Sequence, residues 1–265
     1  MPQASYRGLP EYGLPIIAPG DEKYEQLVND ILSRPQPFPS WSAEDRSDAA
    51  VLVNQSGKAI IGATYVWQYT MPDGRTTRHI GSNLGSSMQF DVLTGRAAVG
   101  EDLCTFILPQ SKRLITRRGM IGNNLDVLPH LAARFGGFSG SGSGGRAVGD
   151  AYAKADLTLD MVILEDGLCV GPDELNTVGE LQSALREQAA LASIAVEKLR
   201  TGATPGQILD LIRPMAQRQR SGGSQSFAGT FVNMALHQLV HSTTGEILVW
   251  FEQAASISVD RLHRA

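Results

Sequence analysis

The sharpest chemical pattern in the chain is His237-Gln238-Leu239-Val240-His241. Imidazoles at i and i+4 share one face of a helix, the spacing that metal sites use. A zinc hydrolase of this kind needs a glutamate after the first histidine as general base, and Gln238 cannot take a proton from water. A third ligand is missing at a known spacing, so Glu246 or Glu252 would have to fold back. The pattern therefore reads first as two partly exposed histidines. A metal-dependent hydrolase using His237 and His241 is the alternative functional reading.

Lys112, Arg113, Arg117 and Arg118, with Thr116 between them, form the densest basic run. They are a candidate anion site, weighed against a solvated strand edge whose charges discourage edge pairing. Gly140-Ser141-Gly142-Ser143-Gly144-Gly145 has the GxGxxG form. That form carries meaning only between a strand and a helix of a βαβ unit, whereas here it sits in a glycine-serine tract. There is no Walker A pattern and no GxSxG elbow. Cys104 and Cys169 each lack a neighbouring histidine, so a Cys–His nucleophile would have to come from the fold. They read as two buried thiols, with a disulfide open only in an oxidising compartment. No catalytic residue and no cofactor is assigned.

Charge narrows the partners. The 265 residues carry 23 Lys plus Arg against 27 Asp plus Glu, a net charge of −4. Nucleic-acid binders show a basic stripe, which is absent here. No apolar run reaches the roughly 18 residues of a membrane span. Met1–Gly20 has no cationic segment followed by an apolar one, so the expected location is cytoplasmic by default, with a secreted mature form left open.

The elements that would position these residues fall into three stretches. In 1–46, an N-terminal arm, Tyr24, Leu27, Val28, Ile31 and Leu32 mark one face of a helix over 21–34. Pro35, Pro37 and Pro39 then stop it. In 47–172 the pattern is β. A valine-rich strand, the Gln55–Lys58 turn, a strand over 59–70 and the turn Met71-Pro72-Asp73-Gly74 into a polar edge strand read as two hairpins in series. Ile61, Ala63, Tyr65, Trp67 and Tyr69 alternate on one face, as do Leu157, Leu159, Met161 and Ile163 in a strand over 157–164. Phe135–Asp150 reads as a glycine-rich flexible loop. Asp73-Gly74 and Asp166-Gly167 are turn chemistry. In 173–265 the chain is helical, with Gly202 at a C-terminal cap and Thr204-Pro205 opening the next helix. The last two helices are expected over 227–241 and 246–263. Ile247 to Phe251, with Trp250 a candidate contact, is a five-residue apolar run exceeding the face one helix buries on its own domain.

The stretch from Val162 to Asp173, with Glu165-Asp166-Gly167 and Gly171-Pro172-Asp173, resembles a strand–turn–strand–helix unit of uncharacterised bacterial β-sandwich proteins. Those proteins are similar also in a hairpin like Val51–Ile60 and in a strand tryptophan like Trp67. The resemblance covers about residues 47–199 and implies an immunoglobulin-like or fibronectin-like antiparallel sandwich ending in a helix. It brings no function with it. The expectation is an α+β chain: an immunoglobulin-like sandwich with an N-terminal helical arm and a helical C-terminal region. It would act as a non-enzymatic binding or structural protein, with a protein partner or self-association through the C-terminal helices, and no nucleic acid.

Overall fold

The computed structural model describes residues 3–33, 49–84, 87–93, 95, 97–100, 105–117, 119–122, 124, 152–220 and 227–265. Among these the chain is α+β, with ten strands in two sheets and six helices. The first sheet holds β1 (Gln3–Arg7), β4 (Ile60–Thr70), β5 (Thr76–Ser82), β8 (Lys154–Leu164), β9 (Leu168–Val170) and β10 (His263–Arg264). The second holds β2 (Ile16–Ile17), β3 (Ala49–Val53), β6 (Lys112–Thr116) and β7 (Gly119–Ile121). The helices are α1 (Tyr24–Leu32), α2 (Ser87–Leu93), α3 (Thr177–Arg200), α4 (Pro205–Arg220), α5 (Phe227–His241) and α6 (Thr244–Ala255).

The pieces stack as helices, sheet, sheet, helix, because each sheet has two apolar faces to cover. Between the sheets lie Ala63, Tyr65, Trp67, Tyr69, Leu157 and Leu159 of the first and Ala50, Leu52 and Ile115 of the second. Alternation sends Ala49, Val51 and Leu114 to the far side of the second sheet, where Tyr24, Val28 and Ile31 of α1 cover them. On the far side of the first sheet, Ile61, Met161, Ile163 and Cys169 pack against α2 to α6. The helical region 173–265 therefore shares a core with the sheet, and β10 returns from it to pair in parallel with β9.

The expected alternation holds along most of β4 and β8 and is reset at two bulges. Asp160 is the extra residue on β8 opposite Thr64 and Tyr65, and Ile61 is the extra residue on β4. A bulge adds one residue to one strand and so inverts the faces beyond it. Leu157 and Leu159 thus point between the sheets, whereas Met161 and Ile163 point to the helices.

Three expectations are corrected by the pairing. Gln55–Lys58 does not close a hairpin: β3 pairs with β2 and β6, and β4 with β5 and β8. Asn54 is the cause. Its Nδ2 donates to Lys58 O and Ile107 O, both at 2.8 Å, turning the chain from one sheet to the other. The N-terminal arm supplies not only α1 but also β1, which runs parallel to β8, and β2. Finally, the helix expected over 246–263 stops at Ala255, where weak helix formers Ser256, Ile257, Ser258 and Val259 follow. The Phe135–Asp150 loop lies outside the described residues.

Candidate functional site

The basic run is dispersed by strand alternation. Lys112 Nζ lies 3.8 Å from Asp30 Oδ2 on the α1 side of β6. Arg113 points the opposite way and is buried. Its guanidinium donates to Lys112 O at 3.0 Å, Phe106 O at 2.8 Å and Asn124 Oδ1 at 2.8 Å, knitting an irregular segment to the strand. The guanidinium carbon of Arg117 stands 3.9 Å from the Tyr69 ring centre and 4.9 Å from that of Tyr152, within cation–π range. Arg118 lies outside the described residues. Lys112, Arg113 and Arg117 thus converge on no common anion position.

His237 and His241 do share a face of α5, with ring centres 4.6 Å apart and both side chains exposed. Among the described residues no group of three or more His, Cys, Asp and Glu side chains is placed to hold a metal ion. Trp250 is half-buried, stacked on Phe231 at 5.4 Å and edge-on to Phe251 at 5.0 Å. The apolar run of α6 divides as a helix should: Ile247 and Phe251 are fully buried and Val249 is exposed. A capping box between Thr243 and Glu246 starts that helix.

Cys169 is a free thiol, buried, and burial pushes it up to about 11, which makes it inert rather than nucleophilic. Cys104 lies outside the described residues. Asp73 accepts from Arg75 N–H and Nε in the β4–β5 turn, and Asp166 holds Lys58 Nζ at 2.5 Å beside the β8–β9 turn, so both are turn residues.

A buried carboxylate with no sequence pattern around it is Asp160. Its Oδ1 accepts from Glu174 N–H at 2.8 Å and its Oδ2 from Leu175 N–H at 3.4 Å, while its carbonyl accepts from Asp173 N–H at 2.9 Å. It fixes the Gly171-Pro172-Asp173 turn that launches α3. Asp173 in turn accepts from the N–H groups of Thr177 and Val178 at the start of that helix. These acids organise backbone.

Among the described residues, the border of the first sheet is a candidate contact surface. Among the described residues β5 is the last strand beyond β4. Met71–Arg75 joins the two around the tight turn Pro72-Asp73-Gly74; Gly74 has φ +84°, and Met71 N–H donates to Arg75 O at 2.8 Å. That bond, together with Asn83 N–H to Ala63 O at 3.1 Å, sets the alternation of the ladder. Thr77, His79 and Gly81 turn their backbone groups to β4. Thr76, Arg78, Ile80 and Ser82 turn theirs outward. Every side chain of β5 is exposed, Ile80 by 54%, and Gly81 is half-buried. The strand holds no proline, no lysine and no bulge, the devices that usually blunt an edge. The sequence marked this strand as a polar edge; the outward set of backbone groups becomes visible only with the register.

Comparison with protein-family models, with curated proteins and with solved structures gave no match.

Proposed function

We propose that this chain is a non-enzymatic binding protein that engages a protein partner along the free edge of its first sheet. The observation that carries the reading is β5: six of its seven residues are exposed, and the outward amides and carbonyls of Thr76, Arg78, Ile80 and Ser82 have no strand beyond them among the described residues. Such an edge is a template for an added strand, with main-chain bonds supplying affinity and alternate side chains selectivity. The polar groups elsewhere support it, since Arg113, Asp160 and Asn124 are spent on backbone. A sandwich-type scaffold is part of the proposal. Tyr65, Trp67, Leu52 and Ile115 filling the space between two sheets favour it, while the parallel pairs β1–β8 and β9–β10 depart from an immunoglobulin-like pattern.

The test is affinity capture on the immobilised full chain, from an extract of the cells that make it, beside an Ile80→Pro variant. Proline is tolerated on an edge strand where its nitrogen faces solvent, so this change removes an outward donor without breaking the β4–β5 ladder. The expected result is a partner retained in near-stoichiometric amount by the native chain and lost from the variant. Equal retention by both, or none by either, overturns the reading.

A further inference from the structure

Among the described residues the β5 edge carries a positive charge, that of Arg78, with no acidic partner, and this specifies what it takes. Resting on the edge-binding reading above, we infer that the occupant is an acidic extended peptide segment, with an acidic side chain two positions from an apolar one.

The argument starts from Arg78. Its register partner across the sheet is Gln68, and its Nε donates to Gln68 Oε1 at 3.2 Å. A neutral amide holds the guanidinium in place without neutralising it. Arg75, the other cation at this border, is already matched by Asp73 at 2.6 Å. From Gly74 to Phe90 the sequence has no aspartate or glutamate. The edge is therefore cationic on a chain whose net charge is −4, a local reversal of the overall sign.

The geometry then orders the partner's side chains. Arg78 and Ile80 both turn their backbone groups outward and put their side chains on the same face, the one bearing Gln68 and Val66 and facing away from the second sheet. A strand added along β5 sets one residue directly opposite Arg78 and another, two positions along, opposite Ile80, both on that face. Opposite Arg78 a carboxylate is favoured and a cation is repelled. Opposite Ile80 an apolar side chain covers surface now in water. An antiparallel segment thus reads apolar–x–acidic from its N-terminus. A second copy of this chain fits poorly, since it would bring its own Arg75 and Arg78 to the same border.

The experiment is an amide-shift titration of the ¹⁵N-labelled full chain with two synthetic heptapeptides, Ser-Thr-Val-Thr-Glu-Thr-Ser and the same peptide with lysine in place of glutamate. The expected result is a saturable shift of the Arg78 and Ile80 amides with the glutamate peptide, at least tenfold weaker with the lysine peptide. Ile80→Pro should abolish it, and Arg78→Glu should reverse the preference. No shift with either peptide, equal shifts with both, or a full response in Ile80→Pro overturns the inference. So does a shift of these amides with the protein's own concentration that Ile80→Pro removes, because the occupant is then a second copy. If the peptides fail while Ile80→Pro still loses the captured partner, the edge reading stands and the charge rule alone falls.

Discussion

Gly81 of β5 faces the ring of Tyr65 across the β4–β5 ladder so closely that a Cβ at Gly81 would lie 2.1 Å from the Tyr65 ring carbon Cζ. The aromatic ring covers the backbone of an edge glycine, an arrangement that pins strand register. Tyr65 has nowhere to go. It is buried, its hydroxyl donates to Thr116 O at 3.4 Å, and burial pushes its phenol above the ordinary value. Gly81→Ala should therefore cost about 1–3 kcal/mol, as overpacking does. Urea unfolding measures it, and a loss below about 0.5 kcal/mol would mean the ring is free to shift.

Among the described residues Trp67 is the largest fully buried side chain, stacked on Tyr69 at 5.8 Å and met edge-on by Tyr6 at 6.1 Å. Trp67→Ala should destabilise by about 3–5 kcal/mol, the range for a large aromatic truncated in a core. Denaturant unfolding of the two proteins side by side checks this; a loss under about 1 kcal/mol would contradict the burial.

Arg113 reaches three acceptors at once with one planar group. Lysine, a point charge on a flexible stem, cannot reproduce that fork. Arg113→Lys should cost about 1–3 kcal/mol through acceptors left unmet inside the protein. A thermal or urea transition indistinguishable from that of the native chain would show the fork to be dispensable.

Asp160 sets a pH dependence. Burial pushes its carboxyl above the ordinary value; the N–H groups of Glu174 and Leu175 oppose this, and the charges of Asp173 and Glu174 add to it. The folded state then holds this proton more tightly than the unfolded chain. Stability from this site is thus greatest at low pH and declines as pH rises from the unfolded value of about 3.9 through the higher folded one. Asp160→Asn does not titrate, so its stability relative to the native chain should improve across that interval. Unfolding free energies measured at several pH values decide it: a constant difference, or one that moves the other way, would sink the assignment.

The elements that the sequence revealed are those coded by local periodicity. The α1 face of Tyr24, Val28 and Ile31, the run of β4 and the cap at Thr204 are all legible from residues a few positions apart. Long-range pairing was not. Nothing in Gln3–Arg7 announces β8 as its partner, and the hairpin pattern at Gln55–Lys58 is equally compatible with a crossing between sheets until Asn54 finds Ile107. The bulge at Asp160 was hidden because a single inserted residue looks like uninterrupted strand. The described members of the basic run are dispersed for a related reason. Adjacent residues of a strand face opposite sides, so Lys112 and Arg113 cannot act together. The edge strand was visible, but which of its amides face outward follows from register alone.

The two halves of one border of β8 are completed by segments far apart in sequence. β1 covers Lys154–Thr158, and β9, itself extended by β10, covers Val162–Ile163. This governs the order of events during synthesis. The β4–β5 hairpin can close as soon as it emerges, but β4's other side stays bare for the ~80 residues, several seconds of translation, that separate it from β8. Contacts that span so much chain slow folding and leave strand edges open meanwhile. The nascent protein therefore passes through a stage in which Tyr65, Trp67 and Tyr69 are out of the ribosome with no second layer fully assembled over them.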